Sequence, residues 1–282
     1  MKRLLGSAVA MMAIALMSVA DDKAAAPATT PAAAPAVAEK EESCPLSFAA
    51  TVDAYSAYVW RGNVINDRPV WQPGATVSYA TKDYGTLSGN VWQNWDMTDR
   101  NDHRTFGGLN ESDYTLSYTK DVGPVGVEVG HIWYTFPKAN GADYGHSTEE
   151  VYGGLSYNND IVTPFIKVYG DYNVAKGTYS TAGLRKSFSL TDRLSAGASA
   201  SLGMGDDHYM KCYFPGEDST EMIDGNLSVN ASYALTDHFS IGATLAWMSL
   251  LDRSVRDTVD DSDLYHSRTD QLWGGINLAA SF

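Results

Sequence analysis

Cysteine is almost missing from this chain of 282 residues: Cys44 and Cys212 are the only two. At most one disulfide is available, so cross-links cannot carry the fold. Positive charge is also scarce, with 20 Lys and Arg against 34 Asp and Glu and a formal net charge of −14. That balance excludes nucleic acid as a partner class, because phosphate backbones require a basic surface. Long apolar runs are absent after residue 20, although hydrophobic residues make up 44% of the chain. No helix long enough to cross a bilayer is therefore expected. No zinc-protease signature or Gly-rich phosphate loop occurs, and no cofactor is expected.

What is present changes in texture along the chain. Residues 1–20 carry Lys2 and Arg3, then an apolar run from Leu4 to Met17, then Ser18-Val19-Ala20. This order of charge, apolar core and small residues reads as a secretion signal cleaved before Asp21. Residues 21–46 are rich in Ala and Pro and close on Glu39-Lys40-Glu41-Glu42. They read as a periplasmic linker, or a tether to another envelope component.

The rest, residues 47–282, forms one domain. Its last stretch sets the pattern: Leu272, Ile276, Leu278, Ala280 and Phe282 alternate with Gln271, Asn277 and Ser281. A period of two makes an amphipathic strand. An aromatic end behind a secretion signal suggests an outer-membrane β-barrel, with apolar residues toward lipid and polar residues toward the lumen. Twelve strands are expected, near 47–60, 69–80, 85–96, 111–121, 125–136, 148–158, 164–173, 177–190, 194–205, 222–235, 239–251 and 271–282. The fold class is thus all-β: a closed antiparallel up-and-down transmembrane barrel. Closure is required because an open strand edge in hydrocarbon leaves N–H and C=O groups unsatisfied. No helical period is expected anywhere in it.

The connections alternate in length, except after the seventh strand, where only about Val174–Lys176 is available. Thr81–Tyr84, Val122–Pro124, Asn159–Thr163, Thr191–Arg193 and Thr236–His238 are short, whereas Met97–Asn110, Pro137–Ser147, Asp206–Glu221 and Asp252–Asp270 are long. Short turns on one side and long loops on the other distinguish an outer-membrane barrel from a soluble sandwich. Both termini then face the periplasm. Aromatics sort to the ends of the apolar faces: Tyr79, Tyr118, Tyr157, Phe188, Tyr233, Phe239 and Phe282 at the short-turn end, and Tyr58, Trp60, Trp71, Trp95, Trp133 and Trp247 at the long-loop end. Such rings belong at headgroup level. Cys44 and Cys212 fall at opposite ends of a wall about 25 Å tall, too far apart to bond.

Ala54-Tyr55-Ser56-Ala57-Tyr58-Val59-Trp60-Arg61-Gly62, followed by Trp71-Gln72-Pro73-Gly74-Ala75 and by Gly85 to Trp95, resembles the opening of the TorF-like putative porins. The resemblance covers about the first fifty barrel residues and implies a porin-like protein of the outer membrane, without a substrate. Arg61 and Gly62 are the matching positions. Arg61 reads either as a cation at the lumen mouth or as a pin that pairs with an acid such as Asp67.

Charges of inward parity are the pore-lining candidates: Asp53, Glu128, Lys167, Asp171 and Arg185, together with Arg61. They either create a field that orients small polar solutes or pair to fill a narrow interior. Tyr55, Trp92, Tyr152, Phe165, Tyr169 and Trp273 share that parity and narrow the bore. With a hairpin turn at Val174–Lys176, Lys167 is expected opposite Gly183 and one diagonal step from Arg185, forming a positive patch.

The function these features point to is passive diffusion of small polar solutes or ions. A surface-interaction barrel is the second reading, from its long acidic loops, and a hydrolase the third. His238-Phe239-Ser240 has the spacing of an outer-membrane phospholipase pair, but at the short-turn end and with Ser240 inward. The chain is expected not to be an enzyme. The cluster Asp260-Asp261-Ser262-Asp263 lacks the glycine of an EF-hand loop. It reads as a solvated loop bridged to lipopolysaccharide by divalent ions. Outer-membrane lipids and lipopolysaccharide are the expected surroundings.

Overall fold

The computed structural model describes residues 45–98, 108–137, 147–261 and 264–282. The expected signal, most of the linker, Cys44 and part of the acidic cluster at 260–263 lie outside them.

Fourteen strands are present among the described residues. Twelve close into one antiparallel barrel: β1 (Leu46–Tyr55), β4 (Val70–Thr81), β5 (Gly85–Asp96), β6 (Gly108–Val122), β7 (Val125–Thr135), β8 (Ser147–Tyr157), β9 (Thr163–Asp171), β10 (Thr178–Ser189), β11 (Leu194–Gly205), β12 (Glu221–Ala234), β13 (Phe239–Leu250) and β14 (Asp270–Ser281). Each pairs with its sequence neighbours in the wall, and β1 pairs with β14 from Ala49↔Ser281 to Tyr55↔Gly275. That seam leaves no wall strand with an open edge. Phe48 and Phe282 exchange backbone hydrogen bonds of 2.9 and 2.8 Å at its foot.

Alternation is the reason for the shape. Leu227, Val229, Leu245, Ile276 and Leu278 point outward and stay exposed, while Ser228, Thr244 and Asn277 on the same strands are buried inside. The outside is thus an apolar band fit for hydrocarbon. Trp71, Trp133 and Trp247 are exposed on this face toward the long-loop end, and Tyr79, Tyr157, Tyr233 and Phe282 toward the other.

Three of the short turns share a side-chain device. Thr81 Oγ1 accepts from Tyr84 N at 3.0 Å, Thr191 Oγ1 from Leu194 N at 2.9 Å, and Thr236 Oγ1 from Phe239 N at 3.0 Å. A hydroxyl that satisfies the turn amide fixes a tight reversal without help from the rest of the fold.

The first strand ends five residues before its expected limit at Trp60. Beyond Tyr55 the chain leaves the wall and forms a separate hairpin, β2 (Tyr58–Trp60) and β3 (Asn63–Asn66), which pairs only with itself. Arg61 (φ 47°) and Gly62 (φ 84°) make its turn in the left-handed region. The hairpin folds into the barrel mouth, where Val59 and Val64 are fully buried. Tyr58 and Trp60 therefore belong to an interior plug and not to the outer girdle the sequence suggested.

Helix was not expected, yet two short α-helices are present among the described residues. Helix α1 (Asp207–Tyr213) follows β11 and buries Tyr209 and Met210. Helix α2 (Arg253–Asp261) follows β13 and buries Val255 and Val259, one turn apart on one face. Asp206 caps the first, accepting from Tyr209 N at 2.8 Å. Asp252 accepts from Ser254 N at 2.7 Å at the start of the second. Asp206 and Asp252, two acids of the long acidic loops, thus cap helices. No described helix is long and apolar enough to cross a membrane.

Candidate functional site

The lumen has two halves of different character. Toward the short turns its wall is built of small polar side chains. Ser78 and Ser88 meet at 2.8 Å, Ser199 and Ser228 at 2.6 Å, and Asn90 donates to Thr76 Oγ1 at 3.0 Å. Toward the long loops the hairpin plug and helix α1 fill it with aromatic rings and charge.

Three tyrosines stand side by side there because the register places them so: Tyr152 opposite Tyr169, and Tyr169 opposite Tyr179. Their ring centroids are 5.5 and 6.2 Å apart. Tyr209 of α1 continues the series at 5.5 Å from Tyr179. The Tyr152 and Tyr179 rings sit where a neighbouring strand offers glycine. A Cβ at Gly130 would meet the Tyr152 ring at 2.4 Å, and one at Gly203 would meet the Tyr179 hydroxyl at 2.1 Å.

Arg61 lies against this series. Its guanidinium makes two hydrogen bonds to Glu150, 2.7 and 2.8 Å long, while Tyr134 donates to the same carboxylate at 2.8 Å. Its Cζ is 4.2 Å from the Tyr169 centroid, 4.8 Å from Tyr179 and 4.7 Å from Trp60. Burial opposes the charge on Arg61, but Glu150, with Tyr134 and Tyr209, holds the guanidinium above its usual pKa range. A two-point fork stacked between rings is the strongest form of ion pair available to arginine. Of the two sequence readings, the pin fits this geometry, but its acid is Glu150, 89 residues away. Asp67 instead lies 3.6 Å from both Arg68 and Arg268.

Other plug contacts have the same form. Tyr58 donates to Glu111 at 2.9 Å. Asn66 donates to Asp96 at 2.7 Å; beside it, between the wall strands β4 and β5, Gln72 donates to Asn94 at 2.9 Å. On the wall, Tyr152 donates to Glu128 at 3.0 Å and Tyr179 to Asp224 at 3.1 Å.

Among the described residues, seven carboxylates are buried, Asp53, Asp96, Glu111, Asp113, Glu150, Asp171 and Asp224, against the two cations Arg61 and Lys167. The interior is therefore acidic. Sequence reasoning missed Asp96, Glu111, Asp113, Glu150 and Asp224 as site residues. Glu150 shares the inward parity of Tyr152 and Asp113 that of Thr115 and Ser117, which was the available signal, while the other three lie near strand ends, where parity is hardest to follow.

The remaining candidates all face inward. Asp53 is buried on β1. Asp171 accepts from Thr148 Oγ1 at 2.5 Å and from Asn173 N at 2.9 Å, so it organises the turn after β9. Glu128 and Lys167 form an ion pair of 3.1 Å. Arg185 has its Cζ 5.6 Å from the Phe165 centroid.

The expected positive patch is not formed. The turn occupies 172–177, not 174–176, so Lys167 pairs with Thr181 and Arg185 with Thr163. Arg185 lies two inward steps along β10 from the position opposite Lys167, and Lys167 is neutralised by Glu128.

His238 of the hydrolase reading has a structural contact, and so does His266 in the loop after α2. His238 stacks on Phe282 with centroids 5.1 Å apart, and His266 Nε2 lies 3.3 Å from the Ile65 carbonyl oxygen in the plug. Cys212 lies in α1, where burial pushes its thiol pKa up to about 11.

The fold is similar to that of the COG4313 outer membrane channel from Pseudomonas putida F1, at 9% identity with a TM-score of 0.51, covering 89% of this chain and 99% of that one. A KdgM porin aligns at 12% identity with a TM-score of 0.45, covering 84% and 99%. The outer membrane phospholipase A from Escherichia coli aligns at 12% identity with a TM-score of 0.42, covering 83% and 92%. No curated protein matches the sequence. Residues 39–181 match the family model described as bacterial protein of unknown function (Gcw_chp), and the chain belongs to that family.

Proposed function

We propose that this protein is an outer-membrane channel for passive diffusion of small polar solutes or ions, with a mouth narrowed by its own hairpin. The observation that carries the reading is the lumen wall. Its short-turn half is lined with Ser, Thr and Asn, and its charges point inward. A barrel that served only as an anchor has no need of such a wall. The resemblance to the TorF-like porins, carried by Tyr58-Val59-Trp60-Arg61-Gly62, agrees with it. In this reading the linker and both ends of the barrel sequence lie on the periplasmic side, and the long loops face outward toward lipopolysaccharide. The chain acts as a conduit and not as a hydrolase. Planar-bilayer recording of the refolded protein tests this: discrete conductance steps are expected, and their complete absence, including after removal of residues 57–67, would overturn it. The filled mouth favours a second reading, a surface-interaction barrel. Surface binding that is lost on deleting 253–261, in a barrel that never conducts, would select that alternative.

A further inference from the structure

We propose that Glu150, with the rings of Tyr169 and Tyr179, is a binding station for guanidinium-bearing organic cations, and that Arg61 occupies it as a tethered ligand that such solutes displace. Its meaning as a solute site rests on the channel reading.

Four adjacent wall strands build the station. Tyr134 on β7 orients the carboxylate, Glu150 on β8 supplies the charge, and Tyr169 on β9 and Tyr179 on β10 supply the faces. The occupant comes from elsewhere. Arg61 sits at the turn of a hairpin that pairs only with itself, in a left-handed conformation that an L-residue with a long side chain adopts at a cost. Withdrawing Arg61 breaks no wall hydrogen bond. It leaves Glu150 as a buried charge in an interior where acids already outnumber bases. Such a carboxylate holds a replacement cation strongly, because solvent cannot substitute. The replacement that matches is planar, forked and tolerant of stacking, which describes a guanidinium better than an ammonium. Other contacts, including Tyr58 to Glu111 and Asn66 to Asp96, keep the hairpin in the mouth. Displacement therefore loosens the plug without expelling it.

The test has two arms, with methylguanidinium chloride as probe and equimolar urea and sodium chloride as controls. In Arg61→Ala, the thermal unfolding midpoint of the detergent-solubilised barrel falls. Methylguanidinium restores most of the loss and the controls do not. In Arg61→Ala/Glu150→Gln it restores nothing. In wild-type protein in a planar bilayer, methylguanidinium raises the fraction of time spent conducting several-fold over the controls. Equal responses to probe and controls, or a rescue that survives loss of Glu150, would overturn the proposal. If Arg61→Ala does not fold, the wild-type recording decides. If no protein conducts under any condition, the channel reading fails, while the thermal arm still reads the station.

Discussion

Lys167 Nζ lies 3.1 Å from Glu128 Oε2, and its side chain reaches that acid by passing over Gly154, which stands on the strand between them. A glycine does make room for this lysine, but on β8 rather than on β10. Replacing Lys167 with Gln leaves Glu128 in the lumen wall with the Tyr152 hydroxyl still donating to it. Loss of one partner from a buried pair costs about 3–5 kcal/mol. The surviving tyrosine reduces that here to about 2 kcal/mol. Lys167→Gln/Glu128→Gln recovers most of it. Urea unfolding of the two variants in lipid checks both values.

Gly130 gives a steric prediction. Gly130→Ala places a methyl group 2.4 Å from the Tyr152 ring, and relief requires that ring to leave its place over β7. Overpacking of this kind costs about 1–3 kcal/mol. Gly130→Ala/Tyr152→Leu removes the clash and regains part of the loss. A melting midpoint for Gly130→Ala equal to wild type would mean that the ring has room to shift.

Asp252 sets a pH dependence at the long-loop end. The Ser254 side chain, with the backbone amides of Ser254 and Val255, holds its carboxyl below the usual value of 3.8. A depressed folded-state pKa stabilises the cap above the unfolded-state value, and that contribution disappears as pH falls through the folded value. Helix α2 therefore frays on acidification below about pH 4 while the wall stays intact. Hydrogen exchange of 253–261 accelerates over that window. Asp252→Ala shows the faster exchange already at neutral pH, with about 0.5–1 kcal/mol lost from the helix.

Depth-dependent quenching separates the tryptophans. Trp71, Trp133 and Trp247 face the exterior, and Trp60 and Trp273 the interior. Single-tryptophan variants in bilayers with brominated lipids are quenched for the first group and protected for the second. Quenching of Trp60 equal to that of Trp71 would place the hairpin outside the mouth.

The wall was legible in the sequence because its physics is local. Alternation and a turn threonine act over a few residues, so ten of the twelve expected strands end within two residues of their observed bounds at each end, the exceptions being the first and the fourth. The plug was hidden by the same rule. Tyr55, Ala57, Val59 and Arg61 continue the alternation of β1, and nothing between Tyr55 and Tyr58 signals that the chain turns inward. The partner that holds Arg61 is 89 residues away, a relationship that no spacing encodes. The register of β9 with β10 slipped for a nearer reason. Asp171 accepts from Asn173 N and Lys176 N, which widens the turn. Helix α2 left a trace in Val255 and Val259, one turn apart. At nine residues it was too short to show a period.

The hairpin joins β1 and β4, which are themselves hydrogen-bonded neighbours in the wall. A segment whose two ends leave the rim side by side can enter a finished barrel from above without any strand being threaded through another. Insertion can then follow closure of the seam between β1 and β14. The barrel and its stopper are separable inheritances: one sequence stretch between Tyr55 and Val70 can lengthen, shorten or change its chemistry while the surrounding wall keeps every pairing it has.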